Sequence, residues 1–112
     1  KVHLIPINER YEVKVVDEEV SCFTYTKDLA RATRELIEKE VDYGIYHIVN
    51  TGPATWYQAA KYLFDISDIS VKVKAITAKD YPRPALRPSF SVLQNTKALR
   101  SWQEAVKDYL KN

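Results

Sequence analysis

The longest continuous pattern of apolar and polar positions runs from Gly44 to Phe64, GIYHIVNTGPATWYQAAKYLF. Ile45, Tyr46, Ile48 and Val49 form a short β-branched and aromatic run bounded by Gly44 and Asn50, which predicts a buried strand. Asn50-Thr51-Gly52-Pro53 is turn chemistry, since Gly tolerates positive φ and Pro has no N–H with which to continue a ladder. Thr55 is placed as a helix N-cap. Trp56, Ala59, Ala60, Leu63 and Phe64 then recur at i, i+3, i+4, i+7 and i+8, one apolar helix face.

The same periods organise the rest of the chain. Lys1–Tyr11 carries Val2, Leu4, Ile5 and Ile7 around Pro6, enough for a strand end or a loop, and Glu12–Asp17 predicts a strand. Glu18–Thr26 is a connection. Thr26 suits an N-cap with Asp28 in the first turn, and a helix is expected from about Lys27 to Val41, with Leu29, Ala32, Thr33, Leu36 and Ile37 on its inner face. The charge run Arg34–Glu40 reads as its solvated face. Asp65–Ser70 ends the second helix. Val71–Ile76 alternates with Lys72 and Lys74, the pattern of a half-solvated edge strand. Thr77–Asp80 has capping-box spacing and suggests one helical turn. Pro82, Pro84 and Pro88 force the first half of Tyr81–Gln94 into extended geometry. Asn95 is read as capping a short turn through Leu99. Ser101 and Glu104 form a capping box for a last helix, with Trp102, Ala105, Val106, Tyr109 and Leu110 inward. The expectation is one small mixed α/β domain over residues 1–112, with about three strands and three helices.

At 112 residues, 46% hydrophobic and 29% charged, the chain has the composition of a globular domain able to bury a core. A formal charge of +2 with interspersed signs gives no basic stripe, so neither nucleic acid nor an anionic membrane is implied. No apolar run approaches the ~20 residues of a membrane span. The single cysteine, Cys22, excludes an internal disulfide framework and fits a reducing cytoplasm. The absence of methionine, with Lys1 in place of a small residue, suggests a piece of a longer protein.

Candidate chemistry is sparse. His3, His47 and Cys22 stand apart from one another, without metal-ligand spacing, and His47 in a buried strand reads as a hydrogen-bonded structural residue. Only Gly44 and Gly52 are present, and no G-x-G-x-x-G or P-loop can be built from them, so no cofactor is expected on this chain alone. Tyr57 and Lys61 share a helix face at Tyr-x-x-x-Lys spacing, although amphipathic residues flanking a core face give the same pattern. Arg83 and Arg87 lie in the proline-fixed loop, where guanidinium forks suit a diphosphate or carboxylate. They suit equally well a pairing with Asp65, Asp68 or Asp80 that pins the loop down.

TYTKDLARA (Thr24–Ala32), the Gly44–Phe64 unit, the stretch from Ile76 through YPRPALRPSFSVL (Tyr81–Leu93) and SWQEAVKDYL (Ser101–Leu110) together resemble the C-terminal, substrate-binding part of dTDP-4-dehydrorhamnose reductase, an extended short-chain dehydrogenase. The resemblance covers the chain from about Val13 to its end. It implies a parent enzyme that uses NADPH or NADH to reduce a dTDP-4-dehydro sugar in dTDP-L-rhamnose synthesis. The cofactor loop and catalytic Tyr-x-x-x-Lys of that enzyme would lie in an N-terminal Rossmann half absent here, so Tyr57 is not the family's catalytic tyrosine. By the same resemblance Arg83 and Arg87 are expected on the phosphates of a dTDP-sugar, with Thr24, Tyr25 and Thr26 near the sugar or the helix entry. Asp17–Thr24 (DEEVSCFT) departs from the family's usual Gly- and Pro-containing approach, and the segment between Asn95 and Trp102 is short. The alternative is a non-catalytic regulatory or assembly module derived from the family. Either way the missing half, or self-association, is expected to cover apolar surface.

Overall fold

A computed structural model describes residues 3–7 and 10–111; Val2, counted above in the first apolar run, lies outside them. The elements in chain order are β1 (His3–Ile7), β2 (Arg10–Val16), β3 (Val20–Cys22), α1 (Thr26–Glu38), β4 (Pro53–Thr55), α2 (Trp56–Ile66), β5 (Val71–Ile76), a single 3-10 turn (Ala78–Asp80) and α3 (Trp102–Lys111). This is the expected mixed α/β fold with its three helices. The chain separates into two compact units, the first formed by the described residues up to Ser21 with Ala54–Ser91, the second by Cys22–Pro53 with Val92 to the C-terminal region. β3 and β4 pair as a two-stranded sheet, and the chain leaves the first unit along β3 and re-enters it along β4.

The first unit is built on a three-stranded sheet in the order β1-β2-β5, with β1 antiparallel and β5 parallel to the central β2. Val13, Val15 and Val16 of β2 are buried, and each contributes roughly 1.5–3 kcal/mol by leaving water. Opposite Val13 stand Leu4 of β1 and Val73 of β5. β5 is an edge strand as its alternation predicts: Lys72 and Lys74 are exposed while Val71 and Val73 are half-buried. Helix α2 packs against β2 and β5. Thr55 is the N-cap, as expected, and the structure adds a capping box: its hydroxyl accepts the Gln58 N–H (3.1 Å) while the Gln58 side chain accepts the Thr55 N–H (2.9 Å). Trp56, expected on the inner face, is instead exposed at the helix start, and Ala59, Ala60, Leu63 and Phe64 are half-buried.

In the second unit the structure corrects several readings. Thr26 is the first helical residue, not the cap; Tyr25 occupies the cap position and no side chain caps the helix. Helix α1 ends at Glu38, three residues before Val41, and Ile37 is largely exposed. Ile45–Val49 is not a strand, and Ile45 is exposed. The physical reason is that its partners among the described residues are mostly side chains. Asn95 Oδ1 accepts the Val49 N–H (2.8 Å) and Thr96 Oγ1 accepts the His47 N–H (3.0 Å), with one backbone bond, from Thr96 N to His47 O (2.8 Å), in place of a full ladder. Asn95 therefore serves this segment rather than capping a turn, and His47 is exposed rather than buried. Ser101 Oγ caps α3 through the Glu104 N–H (3.1 Å); Trp102 and Ala105 are buried, but Tyr109 and Leu110, expected inward, are exposed.

Two backbone positions show how sequence and conformation meet. Gly52 has φ +101°, and an added Cβ would stand 3.2 Å from Trp102 Cδ1. Glu40, just beyond the end of α1, has φ +49° without being glycine. Gly52→Ala is expected to destabilise the chain by more than about 1 kcal/mol, whereas Glu40→Gly is expected to be neutral or stabilising by up to about 1 kcal/mol. Urea unfolding of both variants checks the opposite signs.

Candidate functional site

The parallel strands β2 and β5 end side by side, and Asp17 N donates to Ile76 O (3.0 Å) as the last bond of their ladder. Loops beyond the carboxyl ends of parallel strands are the usual place for ligand sites in α/β sheets. Here the loop after β2 is the acidic run Asp17–Glu19, and the segment after β5 leads through the 3-10 turn into the proline-rich loop. A cleft of about 660 Å³ opens among Trp56, Tyr81–Ala85 and Arg87, within the range of small-molecule sites.

The acids act on three different parts of the first unit. The Asp17 carboxylate accepts the Thr55 hydroxyl (2.6 Å) at the start of α2. The Glu18 carboxylate accepts the Ala78 N–H at the 3-10 turn, where Asp80 also accepts the Thr77 N–H (3.3 Å). Glu19 is buried and receives both terminal nitrogens of Arg83 in a bidentate pair. Arg83 also lies over the Tyr81 ring, 5.6 Å from its centroid. The hydrogen bonds to Glu19 outweigh the opposing effect of desolvation and push the Arg83 guanidinium pKa above its ordinary value. Further along, Val20 N donates to Ser89 O (2.9 Å) and Ser91 N to Val20 O (2.8 Å), so the loop is tethered at both ends.

The two expected arginines thus line one cleft in different states. Arg83 is engaged by Glu19, an acid the sequence reading passed over in favour of Asp65, Asp68 and Asp80. Arg87 is exposed and makes no hydrogen bond or ion pair to a described residue. Trp56, read as core, completes the wall. A hollow of about 650 Å³ in the second unit, bordered by Ile37, Glu40, Asp42 and Tyr43, has acids and no cation among the described residues of its lining and does not suit a phosphate.

Thr24, Tyr25 and Thr26 belong to the second unit, where Thr24 and Thr26 are exposed. Tyr25 enters a polar network. Its N–H donates to Asn50 Oδ1 (2.6 Å), and Asn50 Nδ2 donates to Asp28 Oδ2 (2.8 Å) and to the Arg100 carbonyl (3.2 Å). Arg100 makes a bidentate pair with Asp28 (2.9 Å for both bonds) and reaches Asp108 Oδ2 (2.6 Å). Asn50 and Asp28 are buried, and among the described residues no buried side-chain polar atom lacks a partner.

Neither glycine offers a cradle for a dinucleotide. The open side of Gly52 faces the Trp102 indole, and Gly44 stands in open space near the acidic hollow. The residues present therefore do not fit the pyrophosphate of a nicotinamide cofactor.

A mixed sheet followed, after its parallel strands, by a loop with a cleft lined by two arginines and by Trp56 and Tyr81 defines a small module of the α/β class. The profile described as RmlD substrate binding domain matches residues 2–112, and the chain belongs to that family. The chain is 33% identical over 108 residues to the spore coat polysaccharide biosynthesis protein SpsK of Bacillus subtilis, covering 90% of this chain and 37% of that protein. It is 33% identical over 104 residues to the dTDP-4-dehydrorhamnose reductase of Mycolicibacterium smegmatis, covering 86% and 32% respectively. Among solved structures, the dTDP-4-dehydrorhamnose reductase of Bacillus anthracis in complex with NADP superposes with a TM-score of 0.85 at 28% identity, over 93% of this chain and 40% of that one. The Clostridium acetobutylicum dTDP-4-dehydrorhamnose reductase gives 0.83 at 38% identity, over 89% and 38%. The chain thus spans well under half the length of these relatives.

Arg100 also sets a pH dependence. Its hydrogen bonds hold the Asp28 carboxyl below the usual 3.8 against the opposing effect of burial, and they hold Asp108 low in the same way. A depressed folded-state pKa contributes stability that is complete above the ordinary carboxylate value and is lost as pH falls through the lower folded value. Thermal unfolding is therefore expected to be insensitive to these groups between pH 7 and 5 (roughly, on either side of the reference values) and to weaken below about pH 4. Asp28→Asn should lose about 2 kcal/mol at neutral pH and show a shallower acid slope.

Proposed function

We propose that this chain is the dTDP-sugar-binding part of a dTDP-4-dehydrorhamnose reductase-like, NAD(P)H-dependent oxidoreductase of dTDP-L-rhamnose synthesis, and that it is not catalytic by itself. The observation that carries this reading is Arg87, a guanidinium without a partner among the described residues, in the same cleft as the exposed Trp56. A guanidinium fork matches phosphate oxygens, and an indole face accepts a pyrimidine ring by stacking. Family membership supports the ligand class, and the names of the relatives supply the sugar. The hydride chemistry belongs, on this reading, to residues that supply the glycine loop this chain does not carry, with NADPH as the reductant of the parent enzyme. Calorimetric titration with dTDP tests the assignment. Arg87→Ala should weaken binding about tenfold or more, the scale of a charge-assisted hydrogen bond pair. Binding equal to that of the parent chain would remove Arg87 from the site.

A second reading, an assembly module of the same descent, is favoured by one observation. Ile37, Tyr43 and Ile45 are largely exposed in the second unit, and apolar groups gathered at a surface mark protein contacts. On either reading the chain alone self-associates in sedimentation, and a clean monomer at high concentration would count against it.

A further inference from the structure

We propose that Glu19 sets the ligand preference of the first unit's cleft. By neutralising Arg83 it leaves Arg87 as the one uncompensated cation among the described residues of the cleft lining, which favours a nucleotide sugar over a free nucleoside diphosphate. The inference rests on the reading that this cleft takes a nucleotide sugar, and it assigns a role to the acidic loop after β2.

The geometry is that of a positioning residue. Glu19 accepts from both Nη1 and Nη2 of Arg83, so the fork that would match a phosphate is already filled by a carboxylate. Both side chains are largely withdrawn from water, at 16% exposure for Arg83 and 11% for Glu19, so the pair is weakly screened and its members do not separate cheaply. Tyr81 supports the guanidinium from its other side. Arg83 therefore forms cleft wall, and the cations among the lining residues are Arg83 and Arg87.

The consequence concerns charge. In a nucleotide sugar both phosphates are esterified, each with a single negative charge. The terminal phosphate of a free diphosphate loses a further proton with a pKa of about 6, so at neutral pH it carries more charge. A cleft with two free guanidinium groups gains more from the free diphosphate; a cleft with one gains less. Neutralising Arg83 thus shifts preference towards the esterified ligand, as electrostatic selection by a fixed countercharge does elsewhere.

The test compares dTDP-glucose with dTDP in calorimetric titrations of the whole chain. Glu19→Gln frees Arg83 and removes one negative charge, so it should tighten dTDP about three- to tenfold more than dTDP-glucose, the effect of one charge at partly screened range. The double variant Glu19→Gln with Arg83→Gln restores the parent's cleft charge, and its ratio of dissociation constants should return to within about twofold of the parent's. Arg83→Gln alone leaves the Glu19 charge uncompensated and should move the ratio the other way, which keeps the test readable should Glu19→Gln not fold. If both ligands bind the parent chain and the ratio stays fixed in the folded variants, Glu19 has no such role while the binding assignment stands. If neither ligand binds the parent chain, both fall together.

Discussion

The first unit depends on three consecutive carboxylates at the end of its central strand. Asp17, Glu18 and Glu19 leave β2 where Val13, Val15 and Val16 have fixed the backbone, and each reaches a different structure: the α2 N-cap, the 3-10 turn and the proline-rich loop. Carboxylates suit the task because each can accept more than one donor, and bonds from charged groups are about twice as strong as neutral ones. Asp17 fixes the Thr55 hydroxyl proton and so leaves its lone pairs to the Gln58 N–H. The helix that carries Trp56 and the loop that carries Arg83 and Arg87 are thereby referred to one short run of chain. A loop with three prolines has already given up much of its backbone freedom in the unfolded state, so fixing it costs less entropy than fixing a flexible loop of equal length.

The second unit solves a related problem with an amide in place of an acid. The Ile45–Asn50 segment joins no strand among the described residues, and its polar groups are met one at a time, several by side chains. Asn50 is the buried centre. It accepts the backbone N–H of Tyr25 and donates to Asp28 and the Arg100 carbonyl, three of the four bonds its side chain can form. Arg100 then ties Asp28 on α1 to Asp108 on α3. The network accounts for an apparent anomaly at Asp28, which sits in the first turn of α1 where an exposed acid would already favour the helix dipole. Its carboxylate is buried because it serves an arginine 72 residues away in sequence.

What the sequence made legible follows the range of the interaction. The Thr55 cap, the lysine-marked edge strand at Val71–Ile76, the turn after Thr77 and the Ser101 cap were all readable, because their partners lie within a few residues or on the same strand. Errors came where a distant side chain decided the outcome. Ile45–Val49 has every local mark of a strand, but Asn95 and Thr96 take up its backbone. Thr26 is a good cap by type, yet the helix begins one residue early, with the Tyr25 N–H held by Asn50. At the site, proline spacing correctly grouped Arg83 with Arg87, but the partner of Arg83 lies 64 residues away and no periodicity points to it. Trp56 was misassigned because helical spacing places a residue on a face without saying whether that face, at the first turn, is covered.

These ranges bear on how the cleft and the fold relate. Arg87 is the one cation of the cleft lining that nothing in the described chain neutralises, and an exposed arginine adds little to stability at a surface. Arg83 is the reverse case: desolvated, bidentate and tied to the strand end, it stabilises the loop and is poorly placed to meet an incoming phosphate. Two arginines four residues apart, in one proline-fixed segment, are therefore in different states, one tied to an acid and one exposed. The tie on Arg83 is made by a residue of the loop after β2, so it is a property of the folded first unit and not of the proline-rich loop alone. A chain that keeps the two arginines but loses the acid after β2 would lose this tie on the loop and change the cleft's charge.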